Sequence, residues 1–200
     1  MNNEFTMKHS ARRLILLAVC LTGFAGLTSC EERVPEKVQV PLHAYSVAVE
    51  RYNNKGLEII YPAEWSVLHD EAGVIADRTV AFETKDASRI TLFFYKSQER
   101  TYPDLANNLE QQLRLRSSKD VKKFQREVVG VAGYKGIKLT WTKLGLGETK
   151  NEATILQLQA KPYPVFVQFH LFDADIEYQA TTNLVPFLHG ISFDPQGVNL

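Results

Sequence analysis

Cysteine is nearly absent from this chain. Only Cys20 and Cys30 occur in 200 residues, and both precede the part that patterns as a folded domain. That part can therefore hold no internal disulfide, no thiolate metal site and no cysteine nucleophile. Charge of one sign is lacking too: 23 Lys and Arg balance 23 Asp and Glu. Without residues 1–29 the balance is 20 to 22, which gives no electrostatic case for nucleic acid. Long apolar runs are missing as well. The longest, residues 14–26, falls short of the roughly 20 residues needed to span a bilayer. Repeats and low-complexity tracts are absent.

Catalytic and metal patterns are equally scarce. Ser46, Ser66, Ser88 and Ser192 sit in no Gly-x-Ser-x-Gly elbow. Gly145-Leu146-Gly147-Glu148 lacks the third glycine and the following helix of a dinucleotide loop, and reads as a hairpin turn. His43, His69, His170 and His189 are scattered, with neither the i, i+4 nor the His-x-His spacing of a zinc site. Asp173, Asp175 and Glu177 lack the glycine and distant glutamate of a calcium loop and read as the acidic start of a helix. Nothing in the sequence brings Glu64 and Asp70 together as an acid–base pair. The expectation is a chain that is not an enzyme and uses no metal or cofactor.

What is present begins with an address. Lys8, Arg12 and Arg13 precede the apolar segment that starts at Leu14, and small residues then lead into a cysteine. Leu27-Thr28-Ser29-Cys30 resembles the lipobox of a bacterial lipoprotein signal, with Leu at −3, small residues at −2 and −1, and Cys at +1. The resemblance implies that residues 1–29 are removed and that Cys30 becomes an acylated N-terminus. Two or three acyl chains there are what stable anchoring needs. Glu31, rather than Asp, at +2 favours an outer-membrane destination facing the periplasm. Residues 30–44 mix charge with Pro35 and Pro41 and read as a tether. Residues 45–200 read as one domain, long enough to bury a substantial core.

Within that domain the patterning is mostly strand. Residues 46–52 and 57–61 flank a turn at Asn53-Asn54-Lys55-Gly56. Residues 78–84 and 89–96 make a second pair. In it Ile90, Leu92 and Phe94 oppose Thr91, Phe93 and Tyr95, as expected of a strand covered on both faces. Thr101-Tyr102-Pro103-Asp104 opens a helix with Leu105, Leu109 and Leu113 on one stripe. Strands follow at 122–131, 134–143, 153–160 and 165–172. Ile137, Leu139 and Trp141 share a face, and Pro162 and Pro164 interrupt pairing between the last two. A second helix is expected from Asp173 or Asp175 to about His189, with Ile176, Ala180, Leu184 and Phe187 or Leu188 inward. A short strand at 191–193 closes the chain. Strands, helix, strands, helix with hairpin links predict an α+β domain, one antiparallel sheet with helices packed on it.

Gly56-Leu57-Glu58-Ile59-Ile60-Tyr61-Pro62-Ala63-Glu64-Trp65 is similar to the opening strand and Tyr-Pro-x-x-Trp turn of the PsbP-like superfamily, which includes DcrB-type envelope lipoproteins. The stretch 184–193 fits its closing helix and strand. The resemblance implies an αβα sandwich and roles in binding and assembly rather than a reaction. The expected function is a lipid-anchored envelope protein acting as a binding or accessory module, with another envelope protein as partner. Small-ligand or lipid binding in a groove beside the sheet is the alternative. Tyr61 and Trp65, as a partly exposed corner, are the candidate contact residues, since Tyr and Trp are enriched at interaction hot spots.

Overall fold

The computed structural model describes residues 47–96, 99–117 and 120–193. The signal segment, Cys30 and the tether lie outside the described residues. Ten strands and three helices follow one another: β1 (Val49–Asn54), β2 (Leu57–Pro62), β3 (Ser66–Glu71), β4 (Arg78–Glu83), β5 (Arg89–Phe94), α1 (Tyr102–Ser117), β6 (Val121–Val131), β7 (Tyr134–Leu144), β8 (Glu148–Gln159), β9 (Val165–Phe172), α2 (Asp173–Thr182), α3 (Leu184–Gly190) and β10 (Ile191–Phe193).

The strands form two antiparallel sheets rather than the single one expected. Seven strands run in the order β3-β4-β5-β9-β8-β7-β6, and three in the order β1-β2-β10. The small sheet starts as a tight hairpin. Lys55 and Gly56 take φ of 46° and 76°, the positive pair that a two-residue turn matching strand twist requires. β2 then alternates from Leu57 to Tyr61, with Leu57, Ile59 and Tyr61 buried. β10 joins it across more than 130 residues of sequence, Ile191 opposite Ile59 and Phe193 opposite Leu57.

Each face of the large sheet has its own core. On one face Val80, Phe82, Ile90, Leu92, Phe94, Val167 and Phe169 meet β2 and α3, through Leu57, Ile59, Phe187 and Leu188. On the other, Ile137, Leu139, Trp141, Ile155 and Phe166 meet Leu105 and Ala106 of α1, with Leu109 and Leu113 at the margin. The result is α+β, with helices packed on both faces of an antiparallel sheet. β5 lies inside it, as its two apolar faces require. Thr101 begins α1 through a reciprocal cap. Its Oγ1 accepts from the Asp104 N–H at 3.4 Å, while Asp104 Oδ2 accepts from the Thr101 N–H at 3.0 Å.

The second helix is not continuous. It breaks at Asn183 into α2 and α3, and Ala180 faces solvent rather than the core. Pro186 explains the break. It donates no N–H, and its ring would meet the Thr182 carbonyl in a continuous helix. Restarting at Leu184 puts Pro186 in a first turn, where neither fault matters.

Register fixes which turns share an end of the large sheet. One end carries the 72–77 loop, Tyr95, the start of α1, the 132–133 turn and the 160–164 loop; it is called the Tyr95 end. The opposite end carries the 84–88 turn, the start of α2, Asp120 and the turn at 145–147; it is called the Leu146 end. The chain enters near the Leu146 end, where the Ala63 N–H donates to the Ala48 carbonyl at 2.8 Å just before β3 begins.

Candidate functional site

The structure takes Tyr61 and Trp65 off the surface. They are 6% and 4% exposed. The Tyr61 ring lies 5.0 Å from Phe82, and Trp65 lies 5.1 Å from Phe187. The turn closed by Trp65 N–H to Pro62 carbonyl, 2.9 Å, carries the indole into the core beneath α3. Burial, then a hydrogen bond to Glu50, pushes the Tyr61 phenol up to about 12. The expected partly exposed corner is thus a core element. The exposed aromatic beside Glu64 is Tyr178, on α2, at 40%.

Other sequence candidates are kept apart. Asp70 is bound to Arg78, while Glu64 lies 3.4 Å from the Asn183 amide. His170 packs against Trp141 and Phe172 at 5.3 and 4.7 Å, and burial, then the charge of Arg89, brings its pKa down to about 4. His43 lies outside the described residues. Among the described residues, no three His, Cys, Asp or Glu side chains converge as a metal site would need. The acidic trio at the start of α2 divides its work. Asp173 accepts the Lys150 N–H at 2.7 Å, and Asp175 turns inward.

Two buried polar networks, neither foreseen from sequence, hold the layers together. In the first, Arg78 donates through Nε and a terminal nitrogen to both oxygens of Asp70, each at 2.7 Å. It also reaches the Asn54 and Lys55 carbonyls at 3.0 and 3.2 Å. Tyr52 donates to the same carboxylate, as does Asn54 at 2.6 Å. Arg78 thereby clamps the β1–β2 turn to the large sheet. In the second, Asp175 accepts from Thr84 Oγ1 and from Gln179 Nε2, each at 2.7 Å, and Asn183 donates to Gln179 at 2.9 Å. Asp175, Gln179 and Asn183 form a polar stripe at i, i+4 and i+8, a spacing legible in the sequence. Both networks are spent mainly on their own members, although Asn183 Oδ1 is buried with no hydrogen-bond partner among the described residues.

A cleft does open at the Tyr95 end, with a volume of about 660 Å³. Gly73, Ala76, Asp77, Tyr95, Arg100 and Asp104 are among its walls. The 72–77 loop is held in shape: Gly73 N–H donates to the Ala76 carbonyl at 3.1 Å, and Asp77 N–H to the Phe94 carbonyl at 3.0 Å. Its tip raises Val74 and Ile75 into solvent, 107% and 61% exposed. On the other side of Tyr95, whose N–H donates to the Pro164 carbonyl, the 160–164 loop exposes Tyr163 at 39%. The Tyr95 ring is buried against Phe166, and its hydroxyl has no hydrogen-bond partner among the described residues. Burial pushes its pKa up to about 12, with Arg100 lowering and Asp77 raising it. Asp77 and Asp104 are already engaged, by the Lys96 N–H and by Thr101. Chemically this is an ordered apolar tip over a polar recess in which Asp77 and Asp104 are engaged.

A shallower cleft of about 460 Å³ lies among Gln125, Glu127, Lys138 and Thr140 on the outer strands. Lys138 and Glu127 are ion-paired across it at 2.5 Å, which raises the Lys138 pKa.

No protein-family model and no curated protein matches the chain. Among solved structures it is similar to cyanobacterial PsbP (CyanoP) from Synechocystis sp. PCC 6803. The match has 13% identity and a TM-score of 0.47, covering 74% of this chain and 94% of that one. It is also similar to a protein of unknown function from Pseudomonas aeruginosa, PA94, described as a putative regulator. There the identity is 12% and the TM-score 0.31, covering 66% and 89% of the two chains. The α+β class rests on the strand order and register of this chain itself.

Proposed function

We propose that the protein is a lipid-anchored component of the bacterial envelope whose domain serves as a non-enzymatic binding or accessory module. The observation that carries the reading is Leu27-Thr28-Ser29-Cys30 behind a basic and then apolar segment. An acylated Cys30, with Glu31 next to it, holds the domain on the periplasmic side of the outer membrane. The PsbP-like resemblance of residues 56–65 supports a role in binding or assembly. Phenylalanines 82, 94, 169 and 187 fill the space between the layers, which favours a protein partner over an apolar ligand. The partner surface is the Tyr95 end, where Val74 and Ile75 stand free on an ordered loop.

The test has two parts. Cys30→Ser is expected to abolish incorporation of labelled fatty acid and to release the protein from membranes; retained acylation and retention in the membrane refute the anchor. Crosslinking of the native lipoprotein in its envelope, followed by detergent purification, is expected to recover one stoichiometric envelope protein that Val74→Asp/Ile75→Asp loses. Recovery of the lipoprotein alone refutes the accessory role.

A further inference from the structure

The end of the sheet opposite the Tyr95 cleft has a composition of its own. The β7–β8 turn, Gly145-Leu146-Gly147, raises Leu146 entirely into solvent at 114% exposure. Its shape is held by Gly145 N–H to the Gly147 carbonyl at 3.0 Å. Leu144 N–H donates to the Asp120 carbonyl at 2.8 Å, tying the turn to the segment that follows α1. In the last turns of α1, Leu115 is 76% exposed, on the side away from the Leu105, Leu109 and Leu113 stripe. Two leucines thus stand in water, one on the turn and one in the last turns of the helix that precedes Asp120.

Lysines surround them. Register puts Lys122, Thr142 and Lys150 side by side across β6, β7 and β8, and Lys143 is one residue nearer the tip, opposite Val121 and Thr149. Lys123 lies beside Lys122 in the bulge of β6. The carboxylates of this corner are Asp120, Glu148 and Asp173. Glu148 is paired with Lys123 at 3.4 Å, and Asp173 accepts the Lys150 N–H. The ammonium groups of Lys122, Lys143 and Lys150 form no ion pair among the described residues. Apolar side chains at a tip ringed by long cationic stems suit the boundary between headgroups and acyl chains: leucines enter it while lysine stems lie along it, ammonium outward.

The path of the chain is compatible with the same end. Ala48 and Ala63, where the described chain enters, lie towards the Leu146 end. Between them and the β7–β8 turn lie about five strand spacings, roughly 24 Å. Sixteen residues separate Cys30 from Val47, a stretch of at most about 60 Å when extended. Nothing in that length prevents the corner from resting on the surface that holds Cys30.

Building on the anchor reading above, we propose that the Leu146 corner is a lipid-surface contact. Leu146 and Leu115 enter the interface of an anionic membrane, Lys122, Lys143 and Lys150 face its headgroups, and the domain stands with its Tyr95 end outward. The occupant is the bilayer that carries the acyl chains, not a second protein.

The full acylated chain tests this, because Cys20 leaves with the signal and Cys30 is blocked, so an introduced cysteine is the single free thiol. Leu146→Cys and Val74→Cys, each labelled with an environment-sensitive fluorophore, are reconstituted into phosphatidylethanolamine–phosphatidylglycerol vesicles containing spin-labelled lipid. The Leu146 probe is expected to shift to the blue and to be quenched several-fold more than the Val74 probe. Lys122→Glu/Lys143→Glu is expected to reduce that difference while the protein still floats with the vesicles. Flotation with an unquenched Leu146 probe, or with equal quenching at both ends, overturns the orientation and leaves the anchor standing. Failure of the acylated chain to float overturns both.

Discussion

Removing the Arg78 guanidinium tests the account of how the two sheets are joined. Arg78 is 2% exposed and makes four hydrogen bonds, two to Asp70 and two to carbonyls of the β1–β2 turn. The Asp70 side chain is itself only 8% exposed. Arg78→Leu keeps the apolar bulk beside Phe94 but strands a buried carboxylate. Breaking one side of such a pair costs about 3–5 kcal/mol, a large part of the stability of a domain this size. Replacing both partners, as in Asp70→Leu/Arg78→Leu, removes the unpaired charge. The double variant is expected to recover more than half of the loss. Urea unfolding at pH 7, followed by circular dichroism, reads all three chains.

Acid gives the same network a second signature. Burial pushes the Asp70 carboxyl up, but hydrogen bonds from Arg78 and Tyr52 and the charge of Arg78 outweigh it, and its pKa falls from 3.8 to about 2. A carboxylate whose pKa is lower in the folded state binds its proton less readily there. Its stabilisation is therefore complete above pH 3.8 and is lost as pH falls towards 2. The shift corresponds to roughly 2 kcal/mol. Without Arg78 the burial contribution remains and only the hydrogen bonds from Tyr52 and Asn54 still lower the pKa, so the stability gap between wild type and Arg78→Leu should narrow in acid, by up to about that amount. A single-variant loss below about 1 kcal/mol at neutral pH, or a gap that does not narrow in acid, refutes the clamp.

Two smaller perturbations follow from backbone geometry. A methyl at Gly136 would sit 2.1 Å from the Ile155 carbonyl oxygen and 2.7 Å from Leu156 Cδ2, inside a paired strand that cannot yield. Gly136→Ala is expected to cost about 3 kcal/mol in urea unfolding, whereas Gly130→Ala, whose nearest contact is 3.9 Å, should stay within about 0.5 kcal/mol; equal effects at both sites would refute the close approach. Thr101→Ala removes the cap of α1 and is expected to cost about 1 kcal/mol, with Thr101→Ser restoring most of it, as read by thermal unfolding.

Elements whose stability lies in a single periodicity were readable in advance. β5, β7 and β9 alternate over most of their length because one or both faces are buried, and α1 carries both its stripe and its cap in the sequence. β3 carries no such mark: it is an edge strand, with Val67 and Leu68 both part-exposed around a bulge, so its residues follow no period of two. The split into two sheets was hidden for a different reason. The alternation of β2 specifies a buried face, but not that β10 supplies its second edge. Pro186 was visible, yet only a filled core behind Leu184 and Phe187 makes the chain restart its helix at once rather than drift into a loop. The candidate site shows the sharper limit. Tyr and Trp are chosen equally for cores and for interfaces, and the type of Tyr61 and Trp65 could not say which. Val74 and Ile75, a short apolar pair next to Gly73, carry no periodicity or motif in the sequence that marks them as exposed.

Antiparallel topology turns the two proposed surfaces into one mechanical arrangement. Consecutive turns of such a sheet alternate between its ends, so a tip on the β3–β4 loop and a tip on the β7–β8 loop are either together or a full strand apart. Here the order of connections puts them at opposite ends. β7, with 11 residues, sets the separation at about 36 Å. A domain resting on its Leu146 corner would hold Val74, Ile75 and Tyr163 that far from the lipid. A partner docked there would not compete with the membrane for the same face. The Arg78 clamp lies on the outward side of this arrangement, fastening the β1–β2 turn beside the 72–77 loop. Its loss should therefore loosen the Tyr95 end while leaving the Leu146 corner, and with it any lipid contact, in place.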